Sequence, residues 1–239
     1  GGAAYGLITV TPPTATPPQA TKARDLICLI DTSGSMGGLP LDQAKRVVSA
    51  LIDGLGDDDR VELIEFGSAP RRFKTEPTAA TRAGKKAALK WVRSLRASGA
   101  TNMHTAVLEA LHPLRPKAQR QVVLLTDGYI GFEQLIIGQL LRELPTESRL
   151  HVVGVGSAVN RTLTKGAARA GGGAELIIGL DEDAEKVAKR LLRRTESPLV
   201  TGLTVEGDVV RGTAPVKLPD LFAGCPALLS VALDPAGGD

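Results

Sequence analysis

The stretch DLICLIDTSGSM (25–36) decides the fold. From Leu26 to Ile30 both alternating positions are apolar, so a strand here buries both of its faces and needs helices above and below it. The strand ends on Asp31. Beyond it, Gly34, Gly37 and Gly38 free the loop, while Ser33 and Ser35 stand at alternate positions. A turn explains polar residues but not an aspartate and two serines at this spacing.

On either side, short apolar runs alternate with helical patterns. LPLDQAKRVVSALIDGL places Leu41, Ala44, Val47, Val48, Leu51, Ile52 and Leu55 on one helical stripe. RVELIEF (60–66) reads as a second strand and RRFKT (71–75) as a short charged edge. The spacing predicts a helix over 78–97, with Ala83, Ala87, Ala88, Trp91, Val92 and Leu95 inward, and another after Thr101. RQVVLLTD (120–127) is a third buried strand and RLHVVGVG (149–156) a fourth, with a helix over about 132–144 between them. A short helix near 161–170, the strand AELII (174–178) and a helix over 183–194 complete the series. The acidic start and basic end of that last helix suit its dipole.

Such alternation predicts an α/β fold: a doubly wound, mostly parallel sheet with helices on both faces. Three segments result: a leading strand and proline-rich linker (1–21), the α/β domain (22–197) and a C-terminal β extension (198–239). TPPTATPPQAT (11–21) holds neither helix nor central strand. LVTGLTVEGDVV and ALLSVAL alternate without intervening helices, so short antiparallel strands are expected beyond Pro198.

Composition narrows the function. An apolar fraction of 43% and a charged fraction of 23% describe a water-soluble globular chain, and so few aromatics leave an aliphatic core. The net charge of +3 is small. Its basic clusters are interleaved with acids rather than aromatics, so nucleic acid is not the expected partner. Cys28 and Cys225 make neither a disulfide framework nor a thiolate metal site, and Cys28 reads as a small core residue. Neither a signal peptide nor an apolar bilayer span is expected in these residues. The opening GGAAYGLITV reads like the middle of a longer chain.

In a doubly wound sheet, ligands sit beyond the carboxyl ends of the strands where the winding reverses. Asp31 ends the first major strand and Asp127 the third, and in the usual strand order these two flank the reversal. Two adjacent carboxylates repel unless a cation or a shared proton relieves them. Ser33 and Ser35 can turn their hydroxyls to the same point, and Thr101, after ASGA, brings a third from another loop. Two carboxylates, three hydroxyls and water form an all-oxygen set, which is hard-cation chemistry. Mg²⁺ is the expected ion, with Mn²⁺ or Ca²⁺ as alternatives. Taken singly, each serine is an ordinary turn or cap residue; caps do not predict Thr101 or Asp127 as well.

Asp31-Thr32-Ser33-Gly34-Ser35, Thr101 in GATNM, and Thr126-Asp127-Gly128 together resemble the von Willebrand factor type A domain and its metal-ion-dependent adhesion site. TDGYIGFEQL, VGVGSAVNRTL, SPLVTGLTVE and LPDLFAG are similar to the subgroup of inter-alpha-trypsin inhibitor heavy chains and related bacterial proteins. The resemblance implies metal ligation by Asp31, Ser33, Ser35, Thr101 and Asp127. It implies a non-catalytic adhesion or scaffold module, with a partner protein's Asp or Glu completing the shell. It also implies an extracytoplasmic or cell-surface setting, and termini that belong to a flanking β unit. Partner identity and oligomeric state are not written in these residues.

Two enzymatic readings compete. Asp31 as a phosphoryl acceptor beside Mg²⁺ wants a second carboxylate two positions on and a lysine; position 33 is Ser, and VVGVGS offers no lysine. A serine hydrolase at Ser33 or Ser35 lacks a G-x-S-x-G elbow and has only His104 as a nearby base. Asn102 reads as a local hydrogen-bonder and His104 as a solvated helix residue. Asn160-Arg161-Thr162 is formally a glycosylation acceptor.

Overall fold

The computed structural model describes residues 4–13, 23–110, 118–128, 133–145, 148–194, 199–216, 218–222, 224 and 226–235. In chain order the strands are β1 (Ala4–Val10), β2 (Arg24–Asp31), β3 (Arg60–Phe66), β4 (Pro70–Arg72), β5 (Thr78–Ala79), β6 (Gln119–Thr126), β7 (Ser148–Val155), β8 (Gly172–Ile178), β9 (Val210–Ala214) and β10 (Ala227–Leu233). The helices are α1 (Leu39–Asp53), α2 (Arg82–Ser94), α3 (Met103–Ala110), α4 (Glu133–Glu143), α5 (Arg161–Ala170) and α6 (Ala184–Arg193). The chain divides into two units, one of residues 22–192 and one built from 1–21 with 193–239.

The larger unit is α/β, with seven strands ordered β4-β3-β2-β6-β7-β8 and β5 beside β3. Strands β3, β2, β6, β7 and β8 run parallel, while β4 and β5 lie antiparallel to β3. The reversal of winding falls between β2 and β6, so the strand ends carrying Asp31 and Asp127 are neighbours. β2 explains the two-sided cover. Leu26, Cys28 and Ile30 pack with α1, α2 and α6, while Ile27 and Leu29 face the layer of α3, α4 and α5. Period-two alternation thus sends one strand into two cores. Every residue of β6 and β7 is buried. Leu29 is fully buried, and Leu29→Ala costs about 2–5 kcal/mol in such a site. Burial also pushes the Cys28 thiol up to about 12, so it behaves as a small apolar residue.

One polar device sits inside the sheet. The Ala174 amide donates to His151 Nδ1 (3.1 Å), which leaves the proton on Nε2 to be donated to Gln121 Oε1 (2.8 Å). A buried imidazole with both nitrogens bonded ties β8, β7 and β6 together.

Two sequence expectations are corrected. The helix expected over 78–97 spans only Arg82–Ser94. Thr78 and Ala79 pair with β3 instead, and the Thr81 hydroxyl caps the helix by accepting from the Gly84 amide at 3.2 Å. Ala83 is accordingly exposed. In LVTGLTVEGDVV the only strand pairing before β9 among the described residues is a bridge between Val200 and Leu221. Positive φ at Gly202 and Gly207 (66° and 156°) takes the chain out of extended geometry there. Residues 111–117, into which the helix expected after Thr101 would continue, and Cys225 lie outside the described residues.

In the smaller unit the three strands are ordered β1-β10-β9, all antiparallel. β10 shows the half-buried alternation of such a sheet. Ala227, Leu229 and Val231 are buried, while Leu228 and Ser230 are exposed. Among the described residues, no helix is long and apolar enough to cross a membrane.

Candidate metal centre

Asp31 closes β2 with no exposure to solvent. Its Oδ1 accepts from the Ser33 amide at 2.9 Å and its Oδ2 from the Thr126 hydroxyl at 2.6 Å. Thr126 Oγ1 in turn accepts from the Gly128 amide at 2.9 Å. The last residue of β6 therefore both orients Asp31 and shapes the turn that presents Asp127. That turn needs Gly128, which has φ +81°; an added Cβ would also stand 3.0 Å from the Asn160 Cβ.

The carboxyl of Asp31 is held above its ordinary range, first by burial and also by the negative charge of Asp127, although the Thr126 and Ser33 hydrogen bonds pull the other way. The two carboxylates thus feel one another across the strand ends. Asp127 is 8% exposed and Ser33 2%. No ion pair engages Asp31 among the described residues.

The loop after β2 makes one 3₁₀ turn at Gly34–Met36, anchored by the fully buried Met36. It brings Ser33 Oγ to 3.1 Å from Ser35 Oγ, with Ser33 buried and Ser35 exposed. Thr101 is half-buried, and its hydroxyl makes no hydrogen bond among the described residues. Its loop is laced to the loops after β2 and β3. The Gly34 amide donates to the Gly99 carbonyl (3.0 Å), the Ser98 amide to Thr32 (2.7 Å) and the Asn102 amide to Gly67 (2.7 Å). Direct bonds thus join Ser33 to Asp31, while Ser33 and Ser35 share a hydroxyl contact. Asp127 is linked through charge and through Thr126, and Thr101 through its loop.

The donor chemistry fits a hard cation. Among the described residues no cluster of three or more His, Cys, Asp and Glu exists; the candidate set from the sequence is two carboxylates and three hydroxyls. Asp31, buried and raised in part by the Asp127 charge, is the kind of carboxylate that a nearby cation would relieve. Asn102 is spent locally, its Oδ1 accepting from the Thr105 hydroxyl at 2.9 Å. His104 is exposed on α3. Asn160 caps α5 and donates to Glu133 Oε1 at 2.7 Å.

Sequence reading missed two supports. The positioning bond from Thr126 is visible only as the first letter of T-D-G. Gln43 is 3% exposed on the packed side of α1, and its Nε2 donates to the carbonyls of Leu180 (2.6 Å), Glu182 (2.9 Å) and Gly179 (3.3 Å). Its signal is a polar residue four positions before Val47 on the apolar stripe.

Comparison with known proteins agrees with this architecture. The chain is 27% identical over 234 residues to inter alpha-trypsin inhibitor, heavy chain 4, of Mus musculus, covering 92% of this chain and 25% of that one. It spans between 8% and 25% of the length of the curated relatives it matches. A von Willebrand factor type A protein from Catenulispora acidiphila superposes with TM-score 0.73 at 18% identity, over 99% of this chain and 62% of that one. The manganese-loaded TRAP protein of Plasmodium vivax does so with TM-score 0.58 at 17% identity, over 98% of each chain. The sequence model of the von Willebrand factor type A domain matches residues 24–175, the span that contains β2 and the strand ends described above, and the chain belongs to that family.

Proposed function

We propose that the chain is a non-catalytic protein-binding module, an adhesion or scaffold domain, that holds a divalent cation and engages a partner's Asp or Glu carboxylate through it. Asp31, Ser33, Ser35, Thr101 and Asp127 would hold the ion, Mg²⁺ first and Mn²⁺ or Ca²⁺ less selectively. The observation that carries this reading is Asp31: a solvent-free carboxylate, bonded to neutral donors and repelled by Asp127. The bound ion would supply an electrophilic position open to an acidic group. Thr126 holds Asp31 in place, and Ser33 presents its hydroxyl beside that of Ser35.

Phosphoryl transfer to Asp31 finds less support. Its two oxygens are engaged by the Ser33 amide and the Thr126 hydroxyl, and no lysine bonds to it among the described residues. Isothermal calorimetry tests the proposal. Wild type should bind Mg²⁺, while Asp31→Ala and Ser33→Ala should lose or weaken it. Unchanged binding in both variants would remove the reading.

A further inference from the structure

Beside the metal loops lies a cleft of about 570 Å³, lined in part by Thr32, Ser68, Arg71, Arg96 and Ser98. Thr32 sits between Asp31 and Ser33, and Ser98 is three residues before Thr101. An extended chain spans at most about 3.6 Å per residue, so Ser98 lies within about 11 Å of Thr101.

The lining is rich in donors. Arg71 is already engaged: it pairs with Glu65 and stands over the Trp91 ring, 5.4 Å from its centroid. Arg96 is different. Its Nη1 donates to the Leu95 carbonyl (3.0 Å) and the Arg93 carbonyl (3.3 Å) at the C-terminal end of α2. These bonds tether the guanidinium where the helix dipole favours a cation. Its Nε and Nη2 make no bond among the described residues, and no carboxylate pairs with it. Ser68 Oγ accepts from the Ala100 amide at 3.1 Å, which leaves its own proton to donate. The Ser98 hydroxyl is exposed and makes no bond among the described residues. One net positive charge and two hydroxyl donors therefore face a site next to the metal loops.

We infer that this cleft is a second carboxylate subsite, and that the partner is a protein segment carrying two acidic residues about two to four positions apart. One acid meets the metal and the other meets Arg96, Ser68 and Ser98. The inference rests on the metal-bridged reading above. A tethered guanidinium loses little freedom on binding, and a second contact on one ligand acts at high effective concentration.

The test uses the whole chain and two capped Gly/Ser peptides, one with a single Glu and one with a second Glu three positions away. Affinities are read by NMR titration in Mg²⁺ and again in EDTA. The two-acid peptide should bind about fivefold tighter in Mg²⁺, the upper end for one exposed ion pair, and the advantage should shrink as salt rises. Arg96→Glu should abolish that advantage while leaving the single-acid affinity within about twofold. Arg93→Glu, in the last turn of α2 and outside the cleft, should keep it. Equal affinities in wild type, or equal loss in both variants, would overturn the subsite. Failure of the metal reading looks different: single-acid binding would be insensitive to EDTA, and the two-point geometry would fall with it.

Discussion

Asp31→Asn separates the proposed metal role of this carboxylate from its structural one. In EDTA the variant keeps its shape and one acceptor, and loses a hydrogen bond from either Ser33 or Thr126, a cost of about 1–2 kcal/mol. Against this, a buried charge facing Asp127 disappears, so the two effects offset and the chelated melting temperature should move by no more than about 4 °C. With Mg²⁺ at about 100 times its Kd, wild type gains about 2.7 kcal/mol, or about 5–11 °C for a unit of this size. A dication about 4 Å from a carboxylate interacts by about 8 kcal/mol at an effective dielectric of 20. Even if hydration offsets three quarters of that, the loss lowers affinity about 30-fold, and the variant's Mg²⁺ shift falls to about 3 °C or less. Calorimetric scans at constant ionic strength measure all four states. A full shift retained by Asp31→Asn, or none in wild type, would refute the reasoning.

The same carboxyl sets a pH dependence. Because its folded value is raised, its contribution in EDTA is complete below the ordinary carboxylate range and lost as pH rises through the raised value; wild type should lose stability relative to Asp31→Asn across that window. Asp59 has the opposite sign. Burial pushes its carboxyl up, but Arg24 and the Gly56 and Arg24 amides outweigh this and hold it below the usual range. Its contribution is present above the ordinary value and lost as pH falls through the depressed one, so Asp59→Asn should cost about 2 kcal/mol at pH 7 and flatten the acid limb of a denaturation series. Gln43→Ala should take the shared side-chain donor from three carbonyls before α6, of which Gly179 still accepts from the Glu182 amide, cost about 1–2 kcal/mol, and speed hydrogen exchange in 184–191. Unchanged protection there would show that Gln43 does not hold the helix start.

The larger unit was legible because its signals are local. Two-sided apolar runs at β2 and β6 demand helices on both faces, and that places Asp31 and Asp127 at adjoining strand ends. Asp-x-Ser-x-Ser fixes its two hydroxyls by alternate spacing within five residues. Helix ends were less legible, since Thr81 as a cap and Thr78–Ala79 as a strand depend on β3 lying nearby. Beyond Pro198 the expected antiparallel strands appear as β9 and β10, but residues 201–209 form no strand, because glycines whose positive φ cannot be read from hydropathy interrupt the alternation.

By itself, the sequence determined the alternation of strands and helices and the two-sided β2 core, because both follow from residue type and from periodicity over a few positions; the five candidate ligands it nominated through residue chemistry and motif resemblance. Only the tertiary structure decided that Asp31 is shut away from water, that Thr126 donates to it, that Gln43 clamps the approach to α6, and that Arg96 and Thr32 line one cleft. Burial and long-range hydrogen bonds belong to pairs of distant segments, and no single stretch of chain carries the coordinates of its partner.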